Sequence, residues 1–538
     1  MDQSPLRSRP AVVGLEALTA GANGTHAIHT NGSHATHTPH GRPWKVAAIV
    51  PCFNRRSDLV LLLKDVARQD LRPVKGRPIQ LWLTVVDNAS TDPLSTISIP
   101  DGLTVEFVRL EKNTGGSGGF NAGMSHVLSG AGLTAELGQP DFLWWLDSDA
   151  RAGRKCLREL VKVLARHPRV GGVGSALGDI PTGDTWETGA KITRKNGYIK
   201  PCRPTDKRFP NEADYLAACS GLVRRTAVER TGLFPENFIY YDDIDWCIQM
   251  TAKTGLKIVG APKSRAYHPP GNRRYVTWGR YYIARNCFSH MDVMKLGNWT
   301  RFKRALRELP RAVGQAMMGL EELAELHIKG LADAKAKNFP KIEPRDLVKP
   351  LGFKPFKDIQ QVIDAAKAEL QKEGISSPNL WVHPLLKSKI PGLEAFRREL
   401  RRVKFEWPTE RSVWRNRALE GHLWKDFVEA AWRGLTSPTA DVAIVPTGWP
   451  TSWFRGRILI QVTTEGLLVR RVRPMRQAVK AASIAWRGFG LAVGIGLRGP
   501  HTMQLPPAPA FRPVLKPVPA EEHIPTEVVP QAIPAAVG

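Results

Sequence analysis

Between Trp44 and Leu146 the chain repeats one pattern four times: consecutive apolar residues that stop abruptly on a polar cluster. Val46-Ala47-Ala48-Ile49-Val50 leads into Pro51-Cys52-Phe53-Asn54-Arg55, and Leu81 to Val86 ends on Asp87-Asn88-Ala89-Ser90-Thr91-Asp92. Val105 to Val108 precedes a glycine-rich loop, and Phe142 to Leu146 runs into Asp147-Ser148-Asp149. Apolar runs without alternation are strands buried on both faces. Leu59, Leu62, Leu63 and Val66 follow the first run at helical spacing. Strand–helix alternation predicts an α/β fold with a parallel sheet, right-handed crossovers and helices on both faces. Ligands bind such sheets beyond the C-terminal strand ends, which is where all four polar clusters fall.

The fourth cluster carries the sharpest chemistry. Residues i and i+2 of an extended chain point the same way, so Asp147 and Asp149 can aim at one point while Ser148 points away. Two converging carboxylates repel unless a proton or cation lies between them. Mg²⁺ and Mn²⁺ take such oxygen ligands and share them with substrate phosphates. The same tripeptide also suits a solvated turn, since Asp and Ser are ordinary turn formers.

Three further groups extend the candidate edge. The loop Asn113-Thr114-Gly115-Gly116-Ser117-Gly118-Gly119-Phe120-Asn121-Ala122-Gly123 follows a strand and opens a helix, whose free N–H groups suit an anion. It lacks the Gly-Lys-Ser/Thr of a nucleotide triphosphate loop. Asp87 suits a ribose or base contact, or an Asx turn. In Tyr240-Tyr241-Asp242-Asp243-Ile244-Asp245-Trp246, three acids open a helix, where the dipole favours negative charge. They exceed what a cap needs, and aromatic walls raise a carboxyl pKa toward that of a general base. His268 follows a strand near residues 256–260 and becomes a third metal ligand if the fold brings it to Asp149.

The order of these motifs resembles the family 2 glycosyltransferases of GT-A fold, over residues 45 to 295. The Gly-Gly-Ser-Gly-Gly-Phe loop is most similar to that of bacterial galactofuranosyl- and rhamnosyltransferases of cell-wall assembly. The resemblance implies a Rossmann-like, nucleotide-sugar-binding mixed sheet and an inverting, metal-dependent transfer. The donor would be UDP-galactofuranose or dTDP-rhamnose, and the acceptor a glycan or a polyprenyl-linked sugar. Asp87, Asn113, Gly115, Gly116, Gly119, Asn121 and Asp147 would bind the donor. Asp147, Asp149 and His268 would hold Mn²⁺ or Mg²⁺. Asp243, with Asp242 beside it, would be catalytic, Asp243 as the base; Asp242 stands where the family more often has Glu. Arg273, Arg274, Arg280 and Arg285 offer themselves as diphosphate clamps.

Outside 44–299, residues 1–43 read as a disordered His-rich tail, 300–501 as a largely helical basic region, and 502–538 as a disordered Pro/Ala-rich tail. An Asn-Gly turn at Asn196-Gly197 marks an inserted hairpin between about 180 and 215. Six scattered Cys without a C-x-x-C pair argue for a reducing compartment. No signal-peptide core is seen, and no apolar run is expected to approach spanning length. The chain carries +27, and residues 455–498 hold nine basic side chains against Glu465 alone, interleaved with Trp486 and Phe489. This composition suits an anionic membrane surface, so the enzyme is expected at the cytoplasmic face of the cell membrane as a peripheral protein. A nucleic-acid-binding protein with a non-catalytic sugar-nucleotide fold is the alternative, but no nucleic-acid motif is present. A processive synthase would need spanning helices and a Gln-x-x-Arg-Trp motif, which the chain lacks.

Overall fold

The structure is a computed structural model that describes residues 11–13, 26–29, 41–179, 185–202, 210–268, 278–317, 321–343, 346–347, 359–372, 374, 380–382, 440–446, 456–462, 467–471, 474–500 and 505–509. The four apolar runs are strands: β1 (Trp44–Cys52), β2 (Ile79–Asp87), β3 (Val105–Arg109) and β4 (Phe142–Leu146). Further strands of the same sheet are β5 (Arg151–Ala152), β6 (Val170–Asp179), β7 (Ser220–Arg224) and β8 (Lys257–His268), with the short strands Thr185–Glu187 and Asn211–Ala213 paired to β6 and β8. The order is β3-β2-β1-β4-β7-β6-β8, with β5 paired to the end of β8. The first four strands are mutually parallel, as the alternation predicts. β7 runs antiparallel to both β4 and β6, which makes the sheet mixed. The short strands Ala11–Val13 and His26–His29 extend the β3 edge, where unpaired backbone groups invite another strand.

Helices cover both faces. α1 (Arg56–Ala67) and α3 (Cys156–Arg166) pack on one side, α2 (Gly115–Leu128) and α4 (Asp242–Thr254) on the other. Trp144 joins the first core and Trp145 the second, as neighbours on one strand must. Both are fully buried, as are Trp82 and Trp246. Burying one such side chain stabilises by ~1.5–3 kcal/mol, so the β4 strand that carries the acidic cluster is anchored firmly. The expected hairpin is present as Ala190–Thr193 paired with Tyr198–Pro201, with Gly197 left-handed in the turn.

α5 (Gly279–Val293) leads into a helical layer of α6 (Asn298–Leu306), α7 (Leu309–Met317), α8 (Glu321–Ala336), α9 (Ile359–Lys372) and α10 (Pro474–Arg498). Cys287, Phe288 and Met291 of α5 share a core with Leu331 of α8 and Ala492 of α10. Among the described residues of this region the largely helical reading holds. It also contains a four-stranded sheet (380–382, 440–446, 456–462, 467–471) that the sequence reading missed. A second correction concerns spanning length: Met475–Arg498 is long and apolar enough, by length and composition, to cross a membrane. Arg476, Lys480 and Arg487 interrupt the segment, so no long uninterrupted run advertises it. Within the C-terminal tail, residues 505–509 lie on the core: Leu505 is buried, and Leu233 N–H donates to the Pro506 carbonyl at 2.8 Å.

Candidate active site

β4 ends at Leu146, and the chain turns at once, Ala150 N–H donating to the Asp147 carbonyl at 3.0 Å. The next two residues, β5, pair antiparallel with the end of β8: Arg151 opposes Tyr267 and Ala152 opposes Ala266. One step further along this register brings His268 to the acidic turn. A bulge in β8 between Ala261 and Arg265 re-aims the strand end toward that pairing, with Ser264 Oγ donating to the Cys156 carbonyl at 2.9 Å.

Asp147, Asp149 and His268 therefore meet. Their ligand atoms lie within 4.8 Å of one another, with His268 Nε2 3.3 Å from Asp147 Oδ2 and 3.2 Å from Asp149 Oδ1. His268 Nε2 is a buried nitrogen that no hydrogen bond satisfies. Such an atom facing two carboxylate oxygens fits a divalent cation of oxygen and nitrogen preference. Arg55 Nη1 donates to Asp149 Oδ2 at 2.8 Å and leaves Oδ1 facing His268. Asp149 is 5% exposed and Asp147 38%, so the site opens on the Asp147 side.

The second acidic cluster starts α4 after an unusual approach. Phe238, Tyr240 and Tyr241 all have φ near +70°, a conformation costly for bulky residues and concentrated at functional sites. α5 holds it in place. Asn286 Nδ2 donates to the carbonyls of Asn237 (3.1 Å) and Ile239 (2.7 Å), and Arg285 Nη2 reaches the Asn237 carbonyl at 3.1 Å. Asp243 Oδ2 accepts from Ala218 N–H at 3.0 Å, and Oδ1 from Ile244 N–H at 2.8 Å. Burial pushes its carboxyl up to about 6; the two N–H donors oppose this, while the charges of Asp147 and Asp245 add to it. Burial, then Asp243, push Asp242 well above the usual carboxylate range. The third acid is structural. Asp245 Oδ1 meets His290 Nδ1 at 2.6 Å, and His290 Nε2 lies 3.1 Å from the Gly197 carbonyl, tying the hairpin to the base helix.

One short stretch links the two clusters. Ala218 N–H binds the Asp243 carboxylate, and the next residue, Cys219, accepts from Asp147 N–H at 3.4 Å. Close by, Glu187 is buried, accepts from Tyr215 Oη–H at 3.0 Å and is pushed up to about 7 by burial, with the Asp243 charge adding to the effect.

The donor-side residues divide. The Asp87 carboxylate accepts from Arg109, Ser90 N–H (2.8 Å) and Leu94 N–H (3.2 Å), three of the roughly four bonds a carboxylate takes. Asn113 Oδ1 caps Gly115 N–H at 2.9 Å. Gly115 is left-handed, and a Cβ there would stand 2.1 Å from the Phe238 carbonyl oxygen. That carbonyl also accepts from Ser117 N–H at 3.2 Å, so the glycine loop touches the base loop directly. A Cβ on Gly116 would meet the Phe238 carbonyl oxygen at an ordinary 3.9 Å, whereas one on Gly119 would come 2.6 Å from Pro51 Cβ. Gly119 thus serves helix–strand packing. Asn121 is turned inward, donating to the Phe234 carbonyl (2.9 Å) and accepting from Phe234 N–H (2.8 Å). Arg285 is corrected as a diphosphate clamp: it is fully buried and spent on Asn286, Tyr281 and the Asn237 carbonyl. Arg273 and Arg274 lie outside the described residues, and Arg280 is half-buried.

Sequence reasoning missed Arg55, Asn88, Glu187 and Asn286 as site-building residues. Asn88 pins the glycine loop, accepting from Thr114 N–H and donating to the Gly115 carbonyl, both at 2.9 Å. Its position beside Asp87 at a strand end was the available signal. The others act across long sequence separations that no local pattern reveals.

Residues 47–232 match the model described as Glycosyl transferase family 2. Over this segment, about a third of the chain, the protein is similar to that family. The match includes Asp87, the glycine loop, Asp147 and Asp149, and ends before Asp243 and His268. No curated protein matches the chain. Among solved structures, the chain is similar to S. aureus TarS 1–349 in complex with UDP-GlcNAc, at 17% identity, 55% coverage of this chain, 82% of that one and a TM-score of 0.36. The mannosyltransferase PcManGT from Pyrobaculum calidifontis, in complex with GDP-Man and Mn²⁺, gives 19%, 58%, 79% and 0.33. GalNAc-T7 with UDP, GalNAc and Mn²⁺ gives 15%, 46%, 51% and 0.34, so the chain spans about half of that protein's length. The matched segment thus contains Asp87, the glycine loop and the Asp147–Asp149 pair, while Asp243 and His268 lie beyond it.

Proposed function

We propose that the chain is an inverting glycosyltransferase that moves a sugar from a nucleoside-diphosphate donor to a hydroxyl of a glycan or polyprenyl-linked acceptor. The observation that carries this reading is the backbone pair Ala218–Cys219, which holds the Asp243 carboxylate and the Asp147 turn side by side. Asp147, Asp149 and His268 would hold Mn²⁺ or Mg²⁺, which when bound neutralises charge on the departing diphosphate. Asp87 and the loop headed by Asn113 and Gly115 would line the nucleotide side. Arg55 orients Asp149. Asp243, ionised above about pH 6, accepts the proton of the acceptor hydroxyl. The hydroxyl oxygen bonds to the anomeric carbon as the bond from that carbon to the diphosphate oxygen breaks, and the configuration inverts. Beside it, burial and then the Asp243 charge push the Asp242 carboxyl well above the usual carboxylate range.

Galactofuranose is the donor sugar we favour, with rhamnose next, supported by the Gly-Gly-Ser-Gly-Gly-Phe loop and by His268 standing with the acid pair. A donor panel containing UDP-galactofuranose and dTDP-rhamnose, scored for Mn²⁺-dependent nucleoside-diphosphate release, tests both levels. Release with one of these two, lost at least about 100-fold in Asp149→Ala, is the expected result. Equal turnover in that variant, or silence with every donor, would reject the proposal.

A further inference from the structure

α10 carries two apolar stripes on opposite sides. Gln477, Ala481, Ile484, Gly488, Ala492 and Ile495, spaced three or four apart, are buried against α6, α7 and α8. Met475, Val479, Trp486, Phe489 and Leu497, at steps of one or two helical turns, lie on the outer side. Trp486 is 80% exposed and Leu497 77%. The stripe continues onto α6, where Trp299, 66% exposed, stacks on Phe302, which in turn meets Phe489 edge-on at 6.4 Å. Contiguous exposed aromatic and aliphatic surface of this kind marks an interaction face.

Charge selects the partner. α10 contains Arg476, Lys480, Arg487 and Arg498 and no acidic residue, and the basic groups lie along one flank of the apolar stripe. Glu321 and Glu325 of α8 pair with the first three, leaving cationic excess, and Lys303 lies over Trp299 at 5.4 Å. An apolar stripe with a basic flank and interfacial Trp suits an anionic lipid surface. Helix length and composition would also allow crossing, but a helix whose inner stripe is packed on three soluble helices has no second side to give to lipid. We propose that α10 lies in the plane of an anionic bilayer, with Trp299, Trp486, Phe489 and Leu497 in the interface. The helix is about 37 Å long at roughly 1.5 Å per residue, enough to seat the whole helical layer. α10 and α5 share one core, and α5 grips the base loop, so the bilayer seat and the active site belong to one packed unit.

Co-sedimentation of the full chain with vesicles tests this, independently of any sugar transfer. Phosphatidylglycerol vesicles should retain the protein, and phosphatidylcholine vesicles at least tenfold less. V479E/W486E should lose at least tenfold of the anionic-vesicle binding with an unchanged melting temperature. If that variant melts early, W299S carries the test, with a severalfold drop expected. Alkaline carbonate should release the wild type. Retention through carbonate would mean a spanning helix and overturn the proposal. So would equal binding by wild type and variants, or a variant whose main change is loss of a homo-oligomer in sedimentation equilibrium, which would make a second copy the occupant.

Discussion

The two acidic clusters of this site are built by different physics. Asp147 and Asp149 sit where a fully buried strand ends, and the histidine reaches them through strand register: two residues of β5 paired with the tip of β8. Asp242 and Asp243 sit after three left-handed residues that no local preference supports, held by Asn286 and Arg285 from a separate helix. The proposed metal side is therefore dictated by sheet topology, and the proposed base side by a tertiary clamp that costs strain. The first should tolerate change around it; the second should not.

Substitutions at each cluster can sharpen or break that contrast. The largest effect is expected for Asp243→Asn, which removes the base and leaves the metal clamp intact. Transfer should fall about 10²–10⁴-fold, while nucleoside-diphosphate binding by calorimetry stays within twofold. Joint loss of binding and turnover would contradict the separation of roles. Arg55→Met acts on the other side: freed from Arg55, Asp149 should lose orientation, lowering Mn²⁺ affinity by about 10–100-fold, with turnover restored at saturating metal. Failure of metal to rescue would show that Arg55 does more than position Asp149.

Asn286→Ala tests the clamp. It strips hydrogen bonds from two buried carbonyls and should cost about 1–3 kcal/mol of stability, together with roughly tenfold in kcat at unchanged Mn²⁺ affinity. A purely structural role would lower the melting temperature and leave kcat alone. The prediction with no expected effect on transfer concerns Glu187, whose carboxyl is raised from 4.5 to about 7. The native state binds this proton more tightly than the unfolded chain, so stability from this group is highest below about pH 4.5 and declines as pH rises to about 7. The total is about 3 kcal/mol at 1.36 kcal/mol per unit. Glu187→Gln, which can still accept from Tyr215, should flatten that slope in melts taken from pH 4.5 to 8. An unchanged slope would remove Glu187 from the account.

The contrast also explains what the sequence discloses. Apolar runs identify strands, and a strand-end acid pair is visible because both signals are local, so the sheet and Asp147-Ser148-Asp149 were legible. His268 became legible only through motif order, since its pairing spans more than a hundred residues. Glu187 and Asn286 were silent: a lone Glu in a hairpin and a lone Asn in a helix carry no periodic signature, and their roles arise from burial. Asn121 misled because a polar residue in a glycine loop looks like a ligand contact, whereas its amide matches the Phe234 backbone. The basic, aromatic composition of α10 was legible, but its spanning length escaped notice because basic residues divide its apolar faces.

The Ala218 N–H and the Cys219 carbonyl, at the two ends of one dipeptide, act as a ruler. In the proposed reaction one grips the group that takes the proton and the other the turn facing the leaving group, so the spacing between bond-making and bond-breaking is set by a single Cα–Cα step. Surrounding loops can then be rebuilt for a new acceptor without recalibrating the reaction.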